Sequence, residues 1–359
     1  MLALLSVSTG LNVPLVKSHL SRSLLTLDVE DSLRDAARLL RVAQITGAPV
    51  VMDGSLAGIL SRNDLLRKIA ELDGTREDEA FERSLKSVQE NEVYDVMEQK
   101  PTTILPTATL VDAAQVMATK KLNRLMVKAN FGAMLGIISS TDVVFAMLDI
   151  DQQKSREMDT TPYQFKSSEA GEELCDIDEC SLSSMVRDYM ATRLIVAKPS
   201  MPLEEAGLLL RAARVTGAPV VEDGKLVGVL SRNDLLKALH QNTCDIDECG
   251  VDSLSGEAYE AAIKRIKQIP VSEVMSSSPI TIKSDTSVLD CAKIMAKDKL
   301  NRLIVTSEGG DLTGVISSTD VCFAMLGCKF GAGEDDDQEL INAIDWSKRT
   351  GNLYRRGIY

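Results

Sequence analysis

The strongest constraint on this chain is that it says the same thing twice. Arg41 opens the phrase R-V-A-Q-I-T-G-A-P-V-V-M-D-G and Arg211 opens R-A-A-R-V-T-G-A-P-V-V-E-D-G, each running on into S-R-N-D-L-L. A second phrase recurs in step with the first. K-L-N-R-L-M-V from Lys121 and K-L-N-R-L-I-V from Lys299 are followed by G-I-I-S-S-T-D-V at Gly136 and G-V-I-S-S-T-D-V at Gly314. Both phrases share one grammar: apolar strand, Gly, second apolar strand, then Ser-x-x-Asp opening a helix. Periodicity of this kind decides the architecture before any single element does.

The four Ser-x-x-Asp steps run from Ser61 to Asp64, Ser139 to Asp142, Ser231 to Asp234 and Ser317 to Asp320, at intervals of 78, 92 and 86 residues. That spacing is a small domain, not a solenoid turn. The halves align with an offset of 170 in the first phrase and 178 in the second, so a pair of units was duplicated, with extra residues between units three and four. The units are expected at 1–74, 75–148, 184–242 and 243–328, the last with an insert before it, with an acidic linker at 149–183 and a tail at 329–359.

Within unit two, Thr102 to Leu105 reads as a short strand, and Leu110, Ala113, Ala114 and Met117 lie at i, i+3, i+4 and i+7, one apolar helix face. Leu125 to Val127 and Leu135 to Ile138 follow as strands, and Ser139 starts a second helix. The fold class is therefore α/β (α+β), each unit a three-stranded sheet with two helices. So small a unit buries too little apolar surface to stand alone, so pairing of neighbours is expected to complete the core.

Charge narrows the function. With 40 Lys and Arg against 53 Asp and Glu, the net charge is −13, which argues against nucleic acid and anionic lipid as partners. Apolar runs are too short for a membrane span. The acid-free segment from Met1 to Leu27 resembles a transit peptide in composition but aligns with the start of unit three, so it reads as the start of unit one. A cytoplasmic protein is expected, with a plastid address as the alternative.

The marks V-x-x-x-M before the first strand (Val93 to Met97, Val186 to Met190, Val271 to Met275), G-A-P-V-V before an Asp-Gly turn, and Gly, two apolar residues and S-x-x-D resemble the cystathionine beta-synthase (CBS) domain family. The resemblance covers about residues 15 to 148 and 184 to 326. It implies two tandem pairs (Bateman modules), an architecture similar to the gamma subunit of AMP-activated protein kinase, and a regulatory role. The implied ligand is AMP, ADP, ATP or S-adenosylmethionine, with no required cofactor and no catalysis. The implied protein partner is a regulated kinase or other enzyme. The two pairs close on each other as a pseudo-dimer or form a homodimer.

The resemblance assigns the ribose hydroxyls to Asp64, Asp142, Asp234 and Asp320, since a carboxylate at a helix start accepts two charge-assisted bonds. Adenine is assigned to Thr103-Ile104 and Thr281-Ile282, and to the steps Thr46-Gly47-Ala48 and Thr216-Gly217-Ala218. Phosphate is assigned to Ser61, Ser139, Ser231, Ser317 and Thr319 with Arg62, Arg124, Arg232 and Arg302. The plain alternative is that each Ser-x-x-Asp is a capping box and nothing more. Met126 and Ile304 stand where the family pattern has Pro.

Two further readings stay open. The chain is a ligand-free interaction scaffold, or it senses thiol state or metal through C-D-I-D-E-C, which occurs at Cys175 to Cys180 and again at Cys244 to Cys249. Four such thiolates meet the count for a structural zinc, while flanking carboxylates disfavour reactive thiolates. Only His19 and His240 are present, and neither sits in a catalytic motif.

Overall fold

The computed structural model describes residues 13–22, 24–43, 45–73, 79–129, 134–150, 152–166, 185–244 and 256–327. Unit two shows the plan. Strand Thr103–Ile104 pairs parallel with Arg124–Lys128, which pairs antiparallel with Met134–Ser139, and helix Leu110–Lys120 makes the crossover between the first two. That helix begins where Thr109 and Asp112 bond reciprocally, a cap worth about 1 kcal/mol. Its predicted face, Leu110, Ala113, Ala114 and Met117, is fully buried. Units one and four repeat the three-stranded sheet, with Gly47 opposite Ser61 and Arg302 opposite Ser317.

Unit three departs from the plan at its first strand. Arg193–Ile195 pairs antiparallel with Gln164–Lys166, and only Ala197 bridges to Val220 of the unit's own hairpin. The extra strand comes from the segment expected to be linker. Polar composition hid its anchors: Ile150 packs against Gly207, the Tyr163 hydroxyl donates to Glu205, and the Arg211 guanidinium donates to the Ile150 carbonyl.

Within each pair the units exchange their leading segments. Val16 N–H bonds the Ala108 carbonyl and Ser21 bridges Ile137, so the segment read as the start of unit one packs on unit two. In return, Glu98 of unit two bridges Ile59 of unit one. The second pair does the same, with Ala191 on Val315 and Ser276 on Val229. A glycine receives each segment, because a Cβ at Gly58 would stand 2.6 Å from the Glu98 carbonyl oxygen and one at Gly228 would stand 2.9 Å from that of Ser276.

The helical core does not follow the pairs. Unit one shares its largest apolar cluster with unit four, Leu33, Leu40 and Leu65 lying with Met295, Val321 and Met325. Unit two shares its own with unit three, Leu110, Met117 and Val144 lying with Leu210, Leu236 and Leu239. Helix Arg62–Ile69 packs on Val288–Asp298 and Ser318–Cys322, and helices Leu110–Lys120 and Ser140–Met147 pack on Arg232–Cys244. Exchange within pairs and helix packing between pairs together close a ring of four units. Matching cation–π contacts brace the two seams, Arg41 over Phe323 and Arg211 over Phe145.

Among the described residues no helix is long and apolar enough to cross a membrane. Cys291 and Cys322 are buried as free thiols on apolar helix faces. The metal-site expectation on Cys175, Cys180 and Cys249, and on the Cys244 side chain, falls outside the described residues.

Candidate functional site

All four Ser-x-x-Asp steps form the same cap. In each, one carboxylate oxygen, Oδ2, accepts from the serine N–H and from its hydroxyl, at 2.8 and 2.6 Å for Asp64, 2.9 and 2.7 Å for Asp142, 2.8 and 2.6 Å for Asp234, and 2.9 and 2.6 Å for Asp320. The capping role and a ligand role are therefore not rivals, since they use different oxygens. Oδ1 of Asp64 meets Arg67 at 2.8 Å and Oδ1 of Asp234 meets Lys237 at 3.8 Å. Both cations are more than half exposed, so these contacts are weak and readily exchanged for another donor. Asp142 is partly buried and stands beside Arg232 and His19. Burial raises its pKa, and the Ser139 hydrogen bonds, Arg232 and His19 offset part of that rise.

Four arginines lie at the centre of the ring, each reaching from its own unit into the next. Arg62 of unit one donates to Thr319 of unit four. Arg302 of unit four donates to Thr216 of unit three and covers Gly217. Arg232 of unit three faces Asp142 of unit two, and Arg124 of unit two covers Gly47 of unit one. Glycine at 47 and 217 is thus explained by the approach of a guanidinium, since a Cβ at either place would overlap it.

These charges repel one another across a poorly solvated centre. Burial first, then the Arg62 charge, pushes Arg124 down to about 9; burial and the Arg302 and Arg62 charges push Arg232 to about 9; burial and Arg62 push Arg302 to about 10. Burial also lowers Arg62, which is 8% exposed and whose Nε has no hydrogen-bond partner. At neutral pH these guanidinium groups still carry their proton, so the centre holds concentrated positive charge and favours an anion.

Among the described residues, a pair of related cavities opens onto this centre. The first, about 440 Å³, is lined by Ser61, Asp64 and Thr46 of unit one, Lys121 and Arg124 of unit two, and Lys299 of unit four. The second, about 220 Å³, is its counterpart around Ser231, Asp234, Thr216 and Arg302. Thr103 and Thr281 are exposed, Ile104 packs on the apolar cluster of units two and three, and Ile282 is buried in that of units one and four. None of these four lines either cavity. The chain passes the first cavity earlier, at Lys100 to Thr102, because strand pairing covers only the two residues that follow. Met126, in place of the family's Pro, forms part of the first cavity's wall. Ser139, Asp142, Ser317, Thr319 and Asp320 lie at the ring centre through their arginine neighbours and outside both linings.

Sequence reasoning missed Lys121 and Lys299. Each stands at a helix C-terminus in left-handed backbone, φ 54° and 55°, a conformation costly for a residue with a Cβ. Both occur in the repeated K-L-N-R phrase, which was the available signal.

Comparison with known proteins is consistent across the chain. The model of the CBS domain matches residues 16–71, 93–149, 186–241 and 271–327. Protein MJ1225 of Methanocaldococcus jannaschii is 22% identical over 86% of this chain and 98% of its own. The chloroplastic CBS domain-containing protein CBSX2 of Arabidopsis thaliana is 32% identical over 40% of this chain and 64% of its own. A crystal structure of CBSX2 in complex with AMP aligns with 40% of this chain and 96% of that one at 31% identity, TM-score 0.31. The CBS pair of protein MJ0100, solved with 5-methylthioadenosine and S-adenosyl-L-methionine, aligns with 38% of this chain and 92% of that one at 24% identity, TM-score 0.31.

Proposed function

This chain belongs to the CBS domain family, and from that premise we propose that it is a regulatory protein that binds adenosine nucleotides and passes their occupancy to a partner protein. The observation that carries the proposal is the reversal of charge between the molecule and its cavities. The whole chain is at −13, yet seven cationic side chains line the first cavity against two acidic ones. A polyanion fits such a wall, while Asp64 and Asp234 keep an oxygen for vicinal ribose hydroxyls. S-Adenosylmethionine carries a sulfonium and an ammonium against one carboxylate, so the same wall disfavours it.

Transmission follows from where the ligand sits. The first cavity takes its lining from units one, two and four, so a bound nucleotide bridges both pairs at their seam. A ligand that binds only the closed ring stabilises it by about 2.7 kcal/mol at a hundred times its Kd, enough to bias an interface with two arrangements. The reading assigns no catalysis to the chain. It places the protein in the cytoplasm, with the plastid as the alternative that the chloroplastic relative supports.

Thermal denaturation of the full chain against AMP, ADP, ATP and S-adenosylmethionine tests the proposal. Dose-dependent stabilisation by the phosphorylated ligands, diminished in Asp64→Ala, is expected. No stabilisation by any of the three nucleotides would overturn it.

A further inference from the structure

The two cavities share part of their walls. Arg62, Asn63, Lys121, Asn123, Lys299 and Asn301 line both of them. The carboxylates are divided differently, since Asp64 belongs to the first cavity alone and Asp234 to the second alone. Among the remaining cations, Arg124 is confined to the first, while Arg232 and Arg302 are confined to the second. Anchors for a sugar are thus private to each cavity, whereas much of the positive charge is held in common. Lys121 arrives from unit two and Lys299 from unit four, so the common charge is contributed by both pairs, and helix caps fix both backbones. Arg62 carries the buried Nε without a partner.

We propose that the unit-one and unit-three cavities are two mouths of one anion chamber, and that ligands in them compete for Arg62, Lys121 and Lys299 to a degree set by phosphate number. This inference rests on the nucleotide reading above and specifies its regulation. A monophosphate reaches its private arginines and leaves the shared cations free to serve both sites. A triphosphate extends into the chamber and occupies donors that the other cavity needs, adding like charge beside any second ligand. Occupancy by a long phosphate chain at one mouth then lowers affinity at the other, and linkage makes the effect reciprocal.

The test is calorimetry of the full chain with AMP and with ATP, on the unaltered protein and on Asp64→Ala and Asp234→Ala. Asp64→Asn and Asp234→Asn, which keep an acceptor for the serine cap, serve if the alanine variants fail to fold, and the double variant reports binding elsewhere in the ring. The second ATP is expected to bind the unaltered chain about tenfold more weakly than ATP binds the same mouth in the single-mouth variant, whereas for AMP the two affinities agree within about twofold. Lys121→Gln/Lys299→Gln is expected to weaken ATP more than AMP and to remove that difference. If the second ATP binds the unaltered chain as tightly as ATP binds the single-mouth variants, the shared chamber is refuted while the nucleotide reading stands. If the unaltered chain binds neither nucleotide, both fall together.

Discussion

Replacing Arg124 by Met should stabilise the ligand-free protein, the reverse of what loss of a half-buried, charged side chain ordinarily does. The Arg124 guanidinium is held down to about 9 by burial and by Arg62 beyond the pull of Asp64 and Asp142. At about 1.4 kcal/mol per tenfold, the fall from the ordinary 12.5 makes keeping the proton there at neutral pH cost on the order of 5 kcal/mol. Water in the adjoining cavity and local relaxation reduce this to about 1–3 kcal/mol. The folded state binds this proton less tightly than the unfolded chain does, so the penalty is fully present at pH 7 and is relieved only as the pH rises through about 9. Methionine keeps an unbranched apolar stem of similar reach. In buffer free of phosphate and sulfate, Arg124→Met should therefore melt a few degrees higher than the unaltered chain, at about 2–4 °C per kcal/mol or somewhat less for a molecule of this size. The gain should shrink above pH 9, and stabilisation by AMP should fall. Scanning calorimetry at pH 7 and pH 10 reads both effects. A variant that melts lower at pH 7 and still responds fully to AMP would refute the argument, because Arg124 would then be satisfied within the protein.

Asp64→Asn keeps a cap acceptor but loses the carboxylate charge, so a change in melting temperature of no more than a few degrees and a loss of nucleotide affinity of about tenfold are expected by thermal shift and calorimetry. Met117→Ala empties a fully buried position on the face between units two and three and should cost about 2–5 kcal/mol in denaturant unfolding. Gly228→Ala pushes a methyl to within 2.9 Å of the Ser276 carbonyl oxygen, and should cost about 1–3 kcal/mol by the same measurement. Burial lowers the His19 pKa, so acidification below its ordinary value of 6.5 charges the unfolded chain first and costs stability. His19→Tyr, which installs the residue found at the matching position 189, should flatten the melting temperature between pH 7 and pH 5.

Much of the fold was legible because local pattern and tertiary role agree. Thr109 and Asp112 cap the helix whose face the spacing of Leu110 and Met117 announces, and the strands around Val127 and Ile138 appear where alternation places them. The choice of helical partner was not legible. Leu110 and Val288 lie on near-identical faces, and nothing in either pattern says that one seeks unit three and the other unit one. The aspartates of the site were readable from Ser-x-x-Asp, whereas Lys121 and Lys299 were not, since a lysine at a helix C-terminus is ordinarily explained by the helix dipole. Thr103 and Thr281 were assigned to ligand from their strand, and the structure sets both in solvent. Docking of the segment after Asp149 rests on Ile150 and Tyr163, single apolar anchors in polar surroundings that composition averages away.

Because Val16 to Ser21 is seated on the second repeat and Glu98 on the first, no single repeat is a self-contained body. Cutting between repeats orphans both products at once, and trimming the first twenty-two residues should fray residues 105–109 and 137 while residues 33–69 stay intact. Selection could therefore multiply this architecture only in twos, and any engineer who wishes to graft or excise a sensor from it must move whole couples.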